Sequence, residues 1–254
     1  MKNDDCAEEN VVAKINALLN ILIIMPDNDS WTEFAKNIIC DLQNYSDGSL
    51  EGALFATGNG SFRIADGVNW ADAYAANPNS AAYGYKGSDC TNFTSQIKHE
   101  GGVPYYLVGN MNSGWSHWIE PHGQGSVHSH SVKWVRADAF AKYFGVKSRY
   151  KTKDYDNKRT AFIKFAAAVK KGSFIAYDEE GDGDWNHNAF VSHTYHSGEN
   201  SRRSISYKGS SYKDFKIAQH TRNYNKWVSS NGSGGNGWED LPYSHSKVVF
   251  AIIN

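Results

Sequence analysis

Gly87-Ser88-Asp89-Cys90-Thr91-Asn92-Phe93-Thr94-Ser95-Gln96-Ile97-Lys98-His99-Glu100-Gly101-Gly102 is the stretch on which the reading of this chain turns. Residues 89–100 read as a helix, and the glycine pair stops it. Ser88 and Asp89 both suit its cap, because a short side-chain oxygen accepts from the free backbone N–H groups of a first turn. Cys90 then stands at a helix N-terminus. The partial positive charge and the N–H groups there favour thiolate over thiol and make the sulfur a nucleophile. A lone cysteine is more often a buried small hydrophobe, so Cys90 needs a base before it carries chemistry.

His187 supplies one. It lies in Asp184-Trp185-Asn186-His187-Asn188-Ala189-Phe190-Val191, at the mouth of an expected strand. A helix-start cysteine followed by a strand-start histidine is the order found in papain-like hydrolases. A strand end holds a base in fixed position. A third group should orient the imidazole. His220, at the end of the next well-formed strand in Lys216-Ile217-Ala218-Gln219-His220-Thr221, is the candidate, with Asn223 in reserve.

Outward from these motifs, residues 7–25 and 30–42 carry apolar residues at helical spacing. Pro26 ends the first stripe, and Ser30-Trp31-Thr32-Glu33 is a capping box for the second. This predicts an N-terminal helical hairpin over 1–45. Residues 46–61, with Gly48, Gly52, Gly58 and Gly60, read as a linker, which leaves 62–254 as the main domain. Within it, helices are expected over 64–76, 89–100, 137–144 and 159–171. After Gly172 the pattern turns to strands at 173–177, 188–195, 204–207, 215–219 and 247–253. Helices followed by strands predict an α+β class with an antiparallel sheet.

The chain has 254 residues, 40% hydrophobic and 21% charged, which suits one large domain or one domain with an appendage. No apolar run is long enough to span a membrane. A net charge of −1 gives no case for nucleic acid. Its distribution is uneven: residues 1–60 hold ten acids against three bases, so the remainder is basic and suits an anionic surface. Cys6, Cys40 and Cys90 give no complete disulfide framework. The acidic N-terminus is unlike a secretory signal, so release is expected by another route.

With these residues in view, the chain resembles the putative amidase domain family of bacterial cell-wall hydrolases. The likeness is carried by residues 87–96 with Gly101-Gly102, by Ser131–Val135 with Phe140–Phe144, by Lys171–Asp178 with Gly181–His187, and by Gln219-His220-Thr221. The family is related in plan to the NlpC-type and CHAP-type peptidoglycan hydrolases, whose Cys-His-polar site lies on a papain-like fold. The resemblance implies a nucleophile at Cys90, a base at His187 and a third role for His220. It implies a peptidoglycan amidase or endopeptidase that needs no cofactor for its chemistry and acts at the bacterial cell wall. That enzyme is either a phage lysin released by a holin or an antibacterial toxin exported by a dedicated machine. In the toxin setting the hairpin meets a secretion or immunity partner. A catalytically inert wall- or glycan-binding protein is the alternative. Asn186 stands where the family pattern has Asp.

Three further groups carry expectations. Trp115 and Trp118 are candidate substrate-binding aromatics. Asp178, Glu180, Asp182 and Asp184 alternate like the first half of a calcium loop, with Gly183 at the sixth position, though Ala189 sits where the bidentate Glu belongs. His122, His128 and His130, and His193 with His196, raise a zinc reading, but HExxH is absent. Residues 202–226 are rich in Lys and Arg, and contact with an anionic wall polymer is the expectation there.

Overall fold

The computed structural model describes residues 62–79, 83, 88–105, 118, 132–231 and 237–254. They lie within one compact unit. The expected hairpin over 1–45, the linker over 46–61, Cys6, Cys40, Trp115, His122, His128 and His130 lie outside the described residues.

Among the described residues, four helices come first: α1 (Ile64–Tyr74), α2 (Cys90–Glu100), the short α3 (Val132–Val135) and α4 (Ala137–Phe144). They are followed by β1 (Val146–Lys151), α5 (Lys158–Ala168), β2 (Phe174–Asp178), β3 (His187–His193), β4 (Ser204–Tyr207), β5 (Ser210–Lys213), β6 (Lys216–Gln219) and β7 (Tyr224–Trp227). Short helices α6 (Val228–Asn231) and α7 (Leu241–Ser244) precede the last strand, β8 (Val249–Ile253). Six strands form one sheet in the order β1-β8-β2-β3-β6-β7, and β4 and β5 form a separate hairpin. Every pair in the large sheet is antiparallel. The class is α+β, as the order of elements predicts.

Alternation along the strands splits the core into two layers. Phe174, Ala176, Phe190, Ala218 and Ala251 pack with Val68 and Ala71 of α1, Phe93 and Ile97 of α2, and Phe140 of α4. Ile175, Ala189, Val191, Ile217 and Phe250 pack instead with Phe162 and Phe165 of α5 and with Trp238. Because β8 is covered on both faces, Val249-Phe250-Ala251-Ile252-Ile253 reads as an unbroken apolar run. Burial of each such phenylalanine contributes roughly 1.5–3 kcal/mol.

The central helix α2 is unusual in composition. Every residue from Cys90 to Lys98 is buried, although Thr91, Asn92, Thr94, Ser95 and Gln96 are polar. Burial of such groups is tolerable only where they are partnered. Asn92 Nδ2 donates to Asp89 Oδ1 at 2.8 Å, and its Oδ1 accepts from Trp134 Nε1 at 2.7 Å. Ser95 Oγ donates to the Trp134 carbonyl at 3.0 Å and accepts from Trp118 Nε1 at 3.2 Å. These bonds fix the helix rotation, and so fix where Cys90 points.

The structure also contains strands the pattern does not predict: β1, β5 and β7. The helix expected to 171 ends at Ala168. The chain then turns through Gly172, whose φ of +90° suits glycine, and enters β2.

Candidate active site

Cys90 is the first residue of α2 and His187 the first of β3; they are 9% and 8% exposed. The start of β3 is set by the acidic turn before it. Asp178 accepts from the backbone N–H groups of Glu180, Gly181 and Gly183 at 3.1, 2.7 and 2.9 Å. Asn186 Oδ1 accepts from the Glu179 N–H at 2.7 Å, and its own N–H donates to the Tyr177 carbonyl at 2.9 Å. In the resulting register Tyr177 pairs with His187.

That register places the imidazole between two aromatics. The Tyr177 ring stacks on it with centroids 5.2 Å apart, and the Trp238 ring lies 6.1 Å away at a steep angle. Trp238 Nε1 donates to Gln219 Oε1 at 3.1 Å, which holds the indole. His187 Nε2 is buried with no hydrogen-bond partner among the described residues. Burial pushes the Cys90 thiol pKa up. The hydrogen bond and charge of His187, then the Asn188 backbone and the Thr91 side chain, outweigh burial and bring it down to about 6. Tyr177 is pushed above its ordinary range by burial, then by Glu179 and by charge on Cys90, so it stays protonated.

Two clefts flank the pair. One, of about 320 Å³, has His187 in its wall with Tyr177, Gln219, Arg222, Trp238 and Asp240. The other, of about 280 Å³, has Cys90 in its wall with Ser88, Arg136, Asp138, Trp185 and Asn186. A thiol beside an imidazole, with a cleft on either side, is an arrangement able to attack a carbonyl carbon.

The structure brings Cys90 and His187 together but does not bring His220 to them. His220 follows Gln219 by one residue, and alternation turns it to the face of α2. Its ring stacks on Phe93 at 3.8 Å, its Nδ1 meets Asp89 Oδ2 at 2.5 Å, and its Nε2 donates to the Tyr74 carbonyl at 3.0 Å. With both nitrogens engaged, it does not orient His187. Asn223 is exposed in the turn beyond. Gln219 is the residue of this strand that shares the cleft with His187.

Other expectations are also corrected. Trp118 is fully buried against Trp134 and Phe144, so it is core and not a substrate platform. Asp178 is occupied as the cap of its own turn, and Asp184 lies 3.7 Å from Lys142. Among the described residues Asp178, Glu180, Asp182 and Asp184 do not gather as a metal site. His193 and His196 face different carboxylates, Asp72 at 3.8 Å and Asp214 at 3.0 Å, so they do not converge on a zinc position. Arg202 donates to the carbonyls of Ala166, Val169 and Asp214, and is structural rather than available to a polymer. Sequence reasoning passed over Tyr177, Gln219 and Trp238. Tyr177 was within reach, since a hairpin closed on the acidic turn pairs it with His187. Trp238 follows a Ser/Gly/Asn stretch and carries no local signal.

The family described as the putative amidase domain matches residues 62–241. An uncharacterized protein of Bacillus subtilis (strain 168), YhbB, is 32% identical over 115 residues, which cover 45% of this chain and 32% of that protein. The match thus spans about a third of the length of that relative. No solved structure matches the chain.

Proposed function

The chain belongs to the putative amidase domain family, and from that premise we propose that it is a cysteine amidase of papain-like plan that cuts a peptide amide of peptidoglycan. The observation that carries this reading is the buried thiol at the start of α2 hydrogen-bonded to the imidazole at the start of β3, which favours the thiolate. Cys90 is the nucleophile and His187 the base.

In this mechanism the Cys90 thiolate attacks the amide carbonyl carbon. The oxyanion forms beside the first turn of α2, where the Cys90 backbone N–H serves as a donor. His187 delivers its proton to the leaving nitrogen, the C–N bond breaks, and a thioester remains. Water then enters, His187 takes its proton, and hydroxide releases the acid and regenerates the thiolate. Tyr177 and Trp238 hold the imidazole through both steps. No cofactor is required.

The substrate is an extended peptide amide, in the stem or bridge peptide or between the lactyl group and L-alanine. Support comes from the two clefts, which give separate room for the acyl and amine sides. An aromatic and a guanidinium, Trp238 with Arg222 and Trp185 with Arg136, lie in each. Residues 62–254 form the catalytic domain in this account. Residues 1–45 serve targeting or assembly, including any secretion or immunity partner. The protein acts at the cell wall as a lysin or an antibacterial toxin.

The test is digestion of purified Gram-positive peptidoglycan by the protein and by Cys90→Ala, with new termini identified by mass spectrometry. New amine termini from the unsubstituted protein alone are expected. Cleavage of none of several wall chemistries, with wall binding retained, would establish the inert binding protein instead.

A further inference from the structure

Immediately before Cys90, the chain buries a carboxylate against a second imidazole. Asp89 and His220 both have no exposed surface. Asp89 occupies the cap position of α2, yet its side chain makes no capping bond. Its Oδ2 meets His220 Nδ1 at 2.5 Å, and its Oδ1 accepts from Asn92 Nδ2 at 2.8 Å. The proton count follows from the partners. His220 Nε2 faces the Tyr74 carbonyl at 3.0 Å, and a carbonyl oxygen only accepts, so Nε2 carries a proton. Nδ1 faces a carboxylate oxygen, so one further proton lies between the two groups. Whichever atom holds it, the pair is neutral as a whole.

A second observation ties the same loop to the nucleophile. The Asp89 N–H donates to Thr221 Oγ1 at 3.1 Å. Thr221 has a φ of +74°, a conformation that β-branched residues rarely adopt and that persists only where the surroundings impose it. The turn after β6 is therefore strained at the residue that grips the backbone preceding Cys90. His220 and Thr221, consecutive in sequence, hold Asp89 by its side chain and its main chain.

We propose that the Asp89–His220 pair, with Thr221, is a positioning and charge-balancing clamp for Cys90. It locks the first turn of α2 to the turn after β6 and keeps an unbalanced negative charge from standing beside the thiolate. His220 is a positioning residue that acts through Asp89, not through His187. The proposal rests on Cys90 being the nucleophile and adds a role to that site. Among the described residues, the charged and titratable groups around Cys90 are His187 and Tyr177 from the sheet, and Arg136, Asp138 and Asp184 in the wall of its cleft; Asp89 adjoins it through the backbone. Among the described residues, the pair touches Asn92 and Phe93 of α2, the Tyr74 carbonyl of α1, and Thr221.

The test is the pH dependence of Cys90 alkylation by iodoacetamide. It is followed on the Cys90 peptide by mass spectrometry, so that Cys6 and Cys40 do not contribute, and it reads the thiolate without any substrate. His220→Ala is expected to raise the midpoint by about one pH unit or more, which slows alkylation about tenfold at pH 5. His220→Gln keeps an amide donor for Asp89 but no charge, and should raise the midpoint in the same direction with the fold intact by circular dichroism. Asp89→Asn/His220→Ala removes the charge together with its balance and should return the midpoint close to that of the unsubstituted protein, while peptidoglycan cleavage stays slow because the clamp is gone. An unchanged midpoint in folded His220→Gln, or a double variant displaced as far as His220→Ala, would overturn the proposal. If the midpoints move as stated but no peptidoglycan is cut by any form, the clamp stands and the substrate reading falls.

Discussion

Among the described residues two histidines are buried at the ends of neighbouring strands, and their surroundings are opposite. His187, at the start of β3, lies between Tyr177 and Trp238 with Nε2 buried and unpartnered among the described residues, and it opens on a cleft. His220, just past β6, has both nitrogens bonded and its ring flat on Phe93. A general base needs a nitrogen that changes partners as the proton moves. A structural imidazole needs the reverse, with every nitrogen committed. The contrast teaches that position at a strand end does not by itself make a histidine a base. What distinguishes the two is that His187 is hydrogen-bonded to the Cys90 thiol and has an open wall beside it, whereas both nitrogens of His220 are held by Asp89 and the Tyr74 carbonyl.

The contrast can be broken at several points. The largest effect is expected from Cys90→Ala and His187→Ala, each lowering amide cleavage on the order of 10⁴-fold, as loss of one member of a nucleophile–base unit does. Thermal melting should show both variants folded. Next, His220→Ala should destabilise the fold by about 3–5 kcal/mol in urea unfolding, because it removes the imidazole that meets the buried Asp89 carboxylate. Large loss of activity with no loss of stability there would place His220 with His187 and erase the distinction. Trp238→Phe removes the donor to Gln219 Oε1 but keeps a ring beside His187; about 1 kcal/mol of stability should go, with cleavage slowed only modestly. The smallest effect is expected from the acidic turn. Asp178 already accepts three backbone N–H groups, so calcium or a chelator should move the melting temperature little, corresponding to less than about 0.5 kcal/mol.

Much of this arrangement was legible in the sequence because it is local. The cysteine at a helix start follows from the Gly-Ser-Asp-Cys run and the Gly-Gly stop, and the histidine at a strand start follows from the turn residues before it. The choice between Gln219 and His220 is not local. One residue decides the face, and the face depends on the register with β3, in which Ala218 pairs with Phe190. Trp118 looks like a loop aromatic until Ser95, Trp134 and Phe144 are assembled around it. β1 was hidden for another reason. Val-Lys-Ser-Arg-Tyr-Lys is polar because it forms the sheet edge, where charged side chains discourage further pairing. The burial of polar α2 was equally invisible, since its partners come from α3 and from Trp118, distant in sequence.

The most direct measurement is the rate of Cys90 alkylation against pH in the unsubstituted protein and in His187→Gln. The folded thiol pKa is depressed, so thiolate should be present above about pH 6 and lost as pH falls through that value. A midpoint near 6, moved toward the ordinary thiol value of about 8.5 by His187→Gln, is the predicted result. A midpoint near 8.5 in the unsubstituted protein, or one that His187→Gln leaves in place, would contradict the assignment of His187 as the group that activates Cys90.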